Sequence, residues 1–156
     1  MIAPGDLIAT ARKLMSGSAA DCDLRRAVST AYYALFHHLC FLFSGIVQRP
    51  GEAHYLRAFT QAYRYVDHGL AKSKCEQVVT GKLGFPRRIV YFAETFIDLQ
   101  QARIEADYNP LAKFDAKSVL NLIENAESAL ASFDQDSPEA QRAFAIFVAL
   151  KPKTRS

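Results

Sequence analysis

The chain has 156 residues, half of them hydrophobic and 22% charged, which suits one globular domain with a continuous core and excludes a disordered chain. A net charge of +3 is too small to mark a nucleic-acid binder by itself, because the basic residues gather only loosely, from Arg57 to Arg88 and again at Lys151, Lys153 and Arg155. Cys22, Cys40 and Cys75 form no CxxC pair, so no zinc site, other metal or cofactor is expected, and free thiols suit a reducing cytoplasm.

With only 7 Gly and 6 Pro, long stretches run uninterrupted, which favours helices. The N-terminus lacks a basic segment followed by an apolar run, so no signal peptide is read there. Leu7, Ile8, Ala11 and Leu14 repeat with helical spacing, giving a first helix from near Asp6 to Met15, stopped by Ser16-Gly17-Ser18. A second helix runs from Leu24 to Phe43, capped by Asp21 or Asp23 and ended by Gly45 and Pro50-Gly51. Its greasiest window, Ala31 to Val47, contains His37, His38 and Ser44 and falls short of the roughly 18 to 20 apolar residues that span a bilayer, so no membrane partner is expected.

A third helix starts near Glu52 and is broken at Asp67-His68-Gly69. The stretch to Pro86 reads as a short helix from Lys72 to Val79 and a connector at Gly81-Lys82-Leu83-Gly84, which lacks the Lys-Ser or Lys-Thr of a phosphate-binding loop. A further helix begins after Pro86 and ends before Asn109-Pro110. Asp115 caps the next, with Val119, Leu122, Ile123, Ala126, Leu130 and Phe133 on one face. Ser137-Pro138-Glu139 starts the last, which groups Ala140, Ala143, Phe144, Phe147 and Leu150 before a frayed tail from Lys151 to Ser156. The chain thus reads as one all-α domain over residues 1–156, an up-and-down bundle of five to six helices with its core at about 6–134 and an extra C-terminal helix at about 138–150.

Two polar features stand out. At about 100° per residue, Arg26, Thr30, Tyr33, His37 and Ser44 fall on nearly one line of the second helix, whose remaining circumference is apolar. Such a helix is central in its fold, and its polar stripe faces either solvent or a cleft. In a cleft, the guanidinium and imidazole suit the anionic oxygens of a phosphate or nucleotide. On the later helix, Ile89, Phe92, Phe96 and Leu99 make a core line that continues into Arg103 and Asp107, four apart and able to pair. They either close the helix end as a buried ion pair or bring Arg103 to the same cleft. His54 and His68 lie off both lines.

The run from Arg26 to His37, Arg-Ala-Val-Ser-Thr-Ala-Tyr-Tyr-Ala-Leu-Phe-His, resembles the first long helix of HEPN domains. The run Arg103-Ile-Glu-Ala-Asp107-Tyr108-Asn-Pro110 is similar to a later segment of the same family. The resemblance covers roughly residues 6 to 134. It implies a helical bundle that works as a homodimer, often beside a nucleotidyltransferase partner in a toxin–antitoxin-like pair, and in many members a metal-independent RNase. Those RNases carry an Arg followed a few residues later by a His. Arg103 matches the Arg, but positions 108 to 110 are Tyr, Asn and Pro. The expectation is therefore a non-catalytic member that binds RNA, a nucleotide or its nucleotidyltransferase partner through Arg26, Thr30, Tyr33, Asp107 and Tyr108. Two alternatives stand beside it: a divergent RNase with Arg103 and His37 as its catalytic pair, and a structural dimerisation module whose exposed last helix, Phe144 to Leu150, docks on a partner.

Overall fold

A computed structural model describes residues 2–47 and 55–153. Among them are seven helices and no strand: α1 (Pro4–Leu14), α2 (Asp21–Val47), α3 (Leu56–Tyr65), α4 (His68–Val79), α5 (Arg87–Tyr108), α6 (Ala116–Phe133) and α7 (Pro138–Ala149). The all-α expectation holds. No helix among these residues is long and apolar enough to cross a membrane.

Local chemistry sets most boundaries. Pro4 stands at the start of α1, with Asp6 in its first turn and Arg12 and Lys13 in its last, matching the helix dipole at both ends. Gly17, at φ 73°, supplies the left-handed residue that turns the chain towards α2. Asp115 and Ser137 cap α6 and α7 as expected, accepting from the N–H groups of Ser118 and Ala140.

Several expectations need correction. Asp21 and Asp23 lie inside the first turn of α2: Asp21 pairs with Arg25, and Asp23 reaches back to the Ala20 N–H at 3.2 Å. Gly45 does not stop α2, which continues through it to Val47, because one glycine weakens a helix without breaking its hydrogen-bond ladder. Glu52, the expected start of the third helix, and Pro50-Gly51 lie outside the described residues; α3 begins at Leu56. Asp67-His68-Gly69 is a helix start as well as a break. Asp67 caps α4 by accepting from Leu70 N at 2.8 Å, so α4 begins four residues before Lys72.

α2 is the axis of the molecule, about 40 Å long at 1.5 Å per residue. It packs against α1, α3, α5, α6 and α7, and Val28, Ala31, Tyr32, Leu35 and Leu39 are wholly buried. Phe92 of α5, Phe133 of α6 and Phe144 of α7 meet beneath it with ring centroids 4.9–5.8 Å apart, in tilted and edge-on arrangements that favour aromatic contact. α7 therefore belongs to the core. Its buried face is Phe144, Ala145, Val148 and Ala149, whereas Ala143 and Leu150 are exposed. This overturns the grouping of Ala143 and Leu150 with the apolar face, and with it the idea of Phe144 as part of an exposed docking helix.

α3 differs from the rest. It packs on α2, and none of its residues is buried. Phe59 and Tyr63 cover α2, while Arg57 and Arg64 face outward without an ion-pair partner among the described residues.

Candidate anion site at the junction of the second, fourth and fifth helices

The polar stripe of α2 and the polar end of α5 meet on one carboxylate. Asp107 takes Arg26 Nη2 at 2.9 Å and the Ser29 hydroxyl at 3.1 Å, and its Oδ2 lies 3.1 Å from Arg103 Nε. That last N–H is not aimed at the oxygen, so the contact is an ion pair without an aligned hydrogen bond. Arg103 Nη2 donates to the Tyr33 hydroxyl at 3.2 Å. The guanidinium lies 5.5–5.7 Å from the ring centres of Tyr32, Tyr33 and Tyr108. Burial works against its charge, but the bond to Tyr33 and the neighbouring Tyr33, Tyr108 and Asp107 outweigh it, and the Arg103 pKa is raised. Arg26 is exposed, and Tyr108 is 70% exposed at the mouth of the group. Two cations and two tyrosine rings thus share one surface.

Of the residues predicted from sequence, Arg26, Tyr33, Arg103, Asp107 and Tyr108 are brought together. Thr30 lies on the same stripe, but its hydroxyl donates to the Arg26 carbonyl at 2.7 Å and so serves its own helix. Ser44 leaves the stripe altogether: it is fully buried and donates to the Phe41 carbonyl at 3.0 Å. His37 has its Nδ1 bonded to the Tyr63 hydroxyl of α3, and its ring centre lies 6.0 Å from that of Tyr33. Burial lowers the His37 pKa and pushes the Tyr63 phenol up to about 12.

Sequence reasoning set aside the histidine that stands nearest this chemistry. His68, at the start of α4, stacks on Phe36 with centroids 3.7 Å apart and lies edge-on to Tyr33 at 6.1 Å. Its Nδ1 is 2.6 Å from the Tyr32 hydroxyl, which is completely buried. Burial raises the Tyr32 pKa, so the phenol keeps its proton, and with Nδ1 its one acceptor among the described residues it donates there, leaving the ring proton of neutral His68 on Nε2. Burial and then the nearby Arg103 charge lower the His68 pKa, against a smaller opposing effect of Asp67. Protonating Nδ1 would also reverse the Tyr32 bond and leave that buried hydroxyl without its acceptor. Gln100 of α5 holds the His68 backbone, donating to its carbonyl at 3.1 Å. The signal for His68 was present in the Asp67 cap, which fixes the residue after it at a helix start. Ser29, three residues after Arg26 and four before Tyr33, belongs to the stripe by the same helical spacing that found Thr30.

His38, the third lowered histidine, is buried against Phe92 and Phe133, with Asp134 partly offsetting the burial. The sign of the linkage is the same for all three. Unfolded histidine protonates near ~6.5, while the folded rings resist, so their contribution is intact above that pH and is lost as pH falls through the lower folded values. The melting temperature is expected to fall between pH 7 and pH 5, and His68→Gln, which keeps a neutral acceptor for Tyr32, should flatten part of that slope. Melts recorded across this range test it; a flat wild-type profile refutes it.

No group of three metal-ligating side chains occurs among the described residues. No protein-family model, curated protein or solved structure matches the chain.

Proposed function

We propose that this chain is a HEPN-like bundle that binds the phosphate of a nucleotide or RNA at Arg26 and Arg103 without cleaving it, acting as a homodimer beside a nucleotidyltransferase in a toxin–antitoxin-like pair. The observation that carries the binding role is the pair of guanidiniums held on Asp107, with the Tyr33 and Tyr108 rings beside them. Arg forks match phosphate oxygens, and an exposed phenol gives a base a face to stack on. The homodimer and the nucleotidyltransferase partner rest on the sequence resemblance alone. So does the non-catalytic assignment, through the absence of a His just beyond Arg103.

Anisotropy of a labelled single-stranded RNA and of a labelled ATP analogue tests the binding role. Arg26→Ala and Arg103→Ala should each weaken binding about tenfold, the value of one lost charge-assisted contact, and each should make the RNA salt dependence shallower. Affinities unchanged in both variants would remove the proposal.

One observation favours a second reading, a metal-independent RNase. The His37 and His68 rings lie 6.0 and 6.1 Å from that of Tyr33, whose hydroxyl accepts from Arg103. One neutral imidazole would take the 2′-hydroxyl proton and, as the imidazolium so formed, pass it to the departing 5′-oxygen, while Arg103 would hold the phosphate as the 2′,3′-cyclic ester forms. Cleavage in the presence of a chelator, abolished by His68→Ala, would establish it over the binding reading.

A further inference from the structure

On the opposite side of α2 a groove of about 800 Å³ runs between α1 and α6, within the range of small-molecule sites. Its walls are mainly apolar: Ile8 on α1, Phe41 and Leu42 on α2, and Leu130 on α6. Gly5, Ala9 and Ala131 keep it open, and a Cβ built on Gly5 meets nothing within 4 Å. An Arg12–Glu127 ion pair spans the groove from α1 to α6 and neutralises both of its members. Among the described residues Asp134 has no such cation. Its partner is His38, whose Nε2 lies 3.7 Å from Asp134 Oδ1, too far for a hydrogen bond, and is buried with no other protein partner. The Asp134 side chain is 65% exposed. The groove therefore offers an apolar trough with one uncompensated carboxylate.

We infer that this groove is a binding site for a primary amine with an aliphatic body, the ammonium on Asp134 and the chain along Ile8, Leu42 and Leu130. The charge excludes a fatty acid, since Asp134 would repel a carboxylate head. A hydroxyl head gains a hydrogen bond but no charge pairing. An ammonium brings three donors and the missing positive charge. The site is separate from the Arg26–Arg103 surface, so its fate does not depend on the function proposed there.

Titrations at pH 7 of the ¹⁵N-labelled chain with 1-octylamine, 1-octanol and octanoate decide the matter. Octylamine should shift the Ala9, Leu130 and Ala131 amides saturably, and bind about tenfold more weakly to Asp134→Asn, the loss of one charge-assisted contact. Ala131→Trp, at an exposed position on the groove wall, should abolish the shifts while the melting temperature stays within a few degrees. Octanoate binding as tightly as octylamine, an unchanged affinity in Asp134→Asn, or shifts spread outside the groove would overturn the proposal. So would a sedimentation change from dimer to monomer in Ala131→Trp, which would make the groove an interface between copies.

Discussion

Arg25→Ala is expected to cost about 3 kcal/mol of stability, seen as a fall of roughly 6–12 °C in melting temperature for a chain of this size. Arg25 lies on α2, one position before the polar stripe, and its guanidinium is turned to the end of α5. Nη1 donates to the carbonyls of Ala106 and Asn109 at 3.0 and 2.9 Å, Nη2 to that of Ala112 at 2.6 Å, and Nε to Asp21 at 2.7 Å. The last carbonyls of any helix lack partners within it, and they carry the negative end of its dipole. Arg25 answers both needs for α5, and it also fixes the loop that Phe114 closes over it at 5.7 Å. With the side chain only 16% exposed, water cannot fully replace it. Arg25→Lys should recover part of the loss, since an ammonium supplies the charge but not the fork. Urea melts of the three proteins test this; a loss under about 1 kcal/mol in Arg25→Ala, the size of a surface effect, would show that the clamp is decorative.

Asp107→Asn is expected to have opposite effects on folding and on binding. In the free protein Asp107 is the internal counterion of Arg26 and Arg103, and its side chain is 13% exposed. Removing its charge leaves two guanidiniums less well compensated, a loss of about 1–3 kcal/mol in stability. A phosphate arriving at the same guanidiniums meets Asp107 as a neighbouring like charge, a repulsion of about 1–3 kcal/mol at partly buried distances. Losing the side chain's hold on the two arginines costs less, about 0.5–1.5 kcal/mol per side chain left free. The repulsion wins, so Asp107→Asn should bind RNA and ATP up to about tenfold more tightly while melting at a lower temperature. Weaker binding in this variant would mean that Asp107 orients the arginines more than it competes with the ligand.

How far the sequence reached depended on the range of the interaction concerned. Helix periodicity and the caps at Asp115 and Ser137 are local, and those elements appear where expected. The stripe of Arg26 and Tyr33 and the Arg103–Asp107 pair were legible because each lies on one helix at spacings of three, four or seven. Partners on different helices were not legible. Nothing in the spacing of α2 shows that Arg25, adjacent to the stripe, reaches 81 residues along the chain to Ala106. Nor does it show that His37 bonds Tyr63 while His68 stacks on Phe36 and meets the Tyr32 hydroxyl. Ser44 followed the stripe's angle but not its exposure, because the far end of α2 is covered on that side too.

The bonds that make the candidate anion site join residues 70 to 81 positions apart in the chain, Tyr33 to Arg103 and Arg26 to Asp107. Closing loops of that length carries an entropic cost that is recovered only when α2 and α5 are docked. The site is therefore a property of the completed fold and of no fragment or partly folded intermediate. An anion held there favours the native state alone, so occupancy and global stability rise and fall together through mass action. Were such a ligand bound and then depleted, the chain would become easier to unfold and degrade, and its lifetime would follow the ligand's supply.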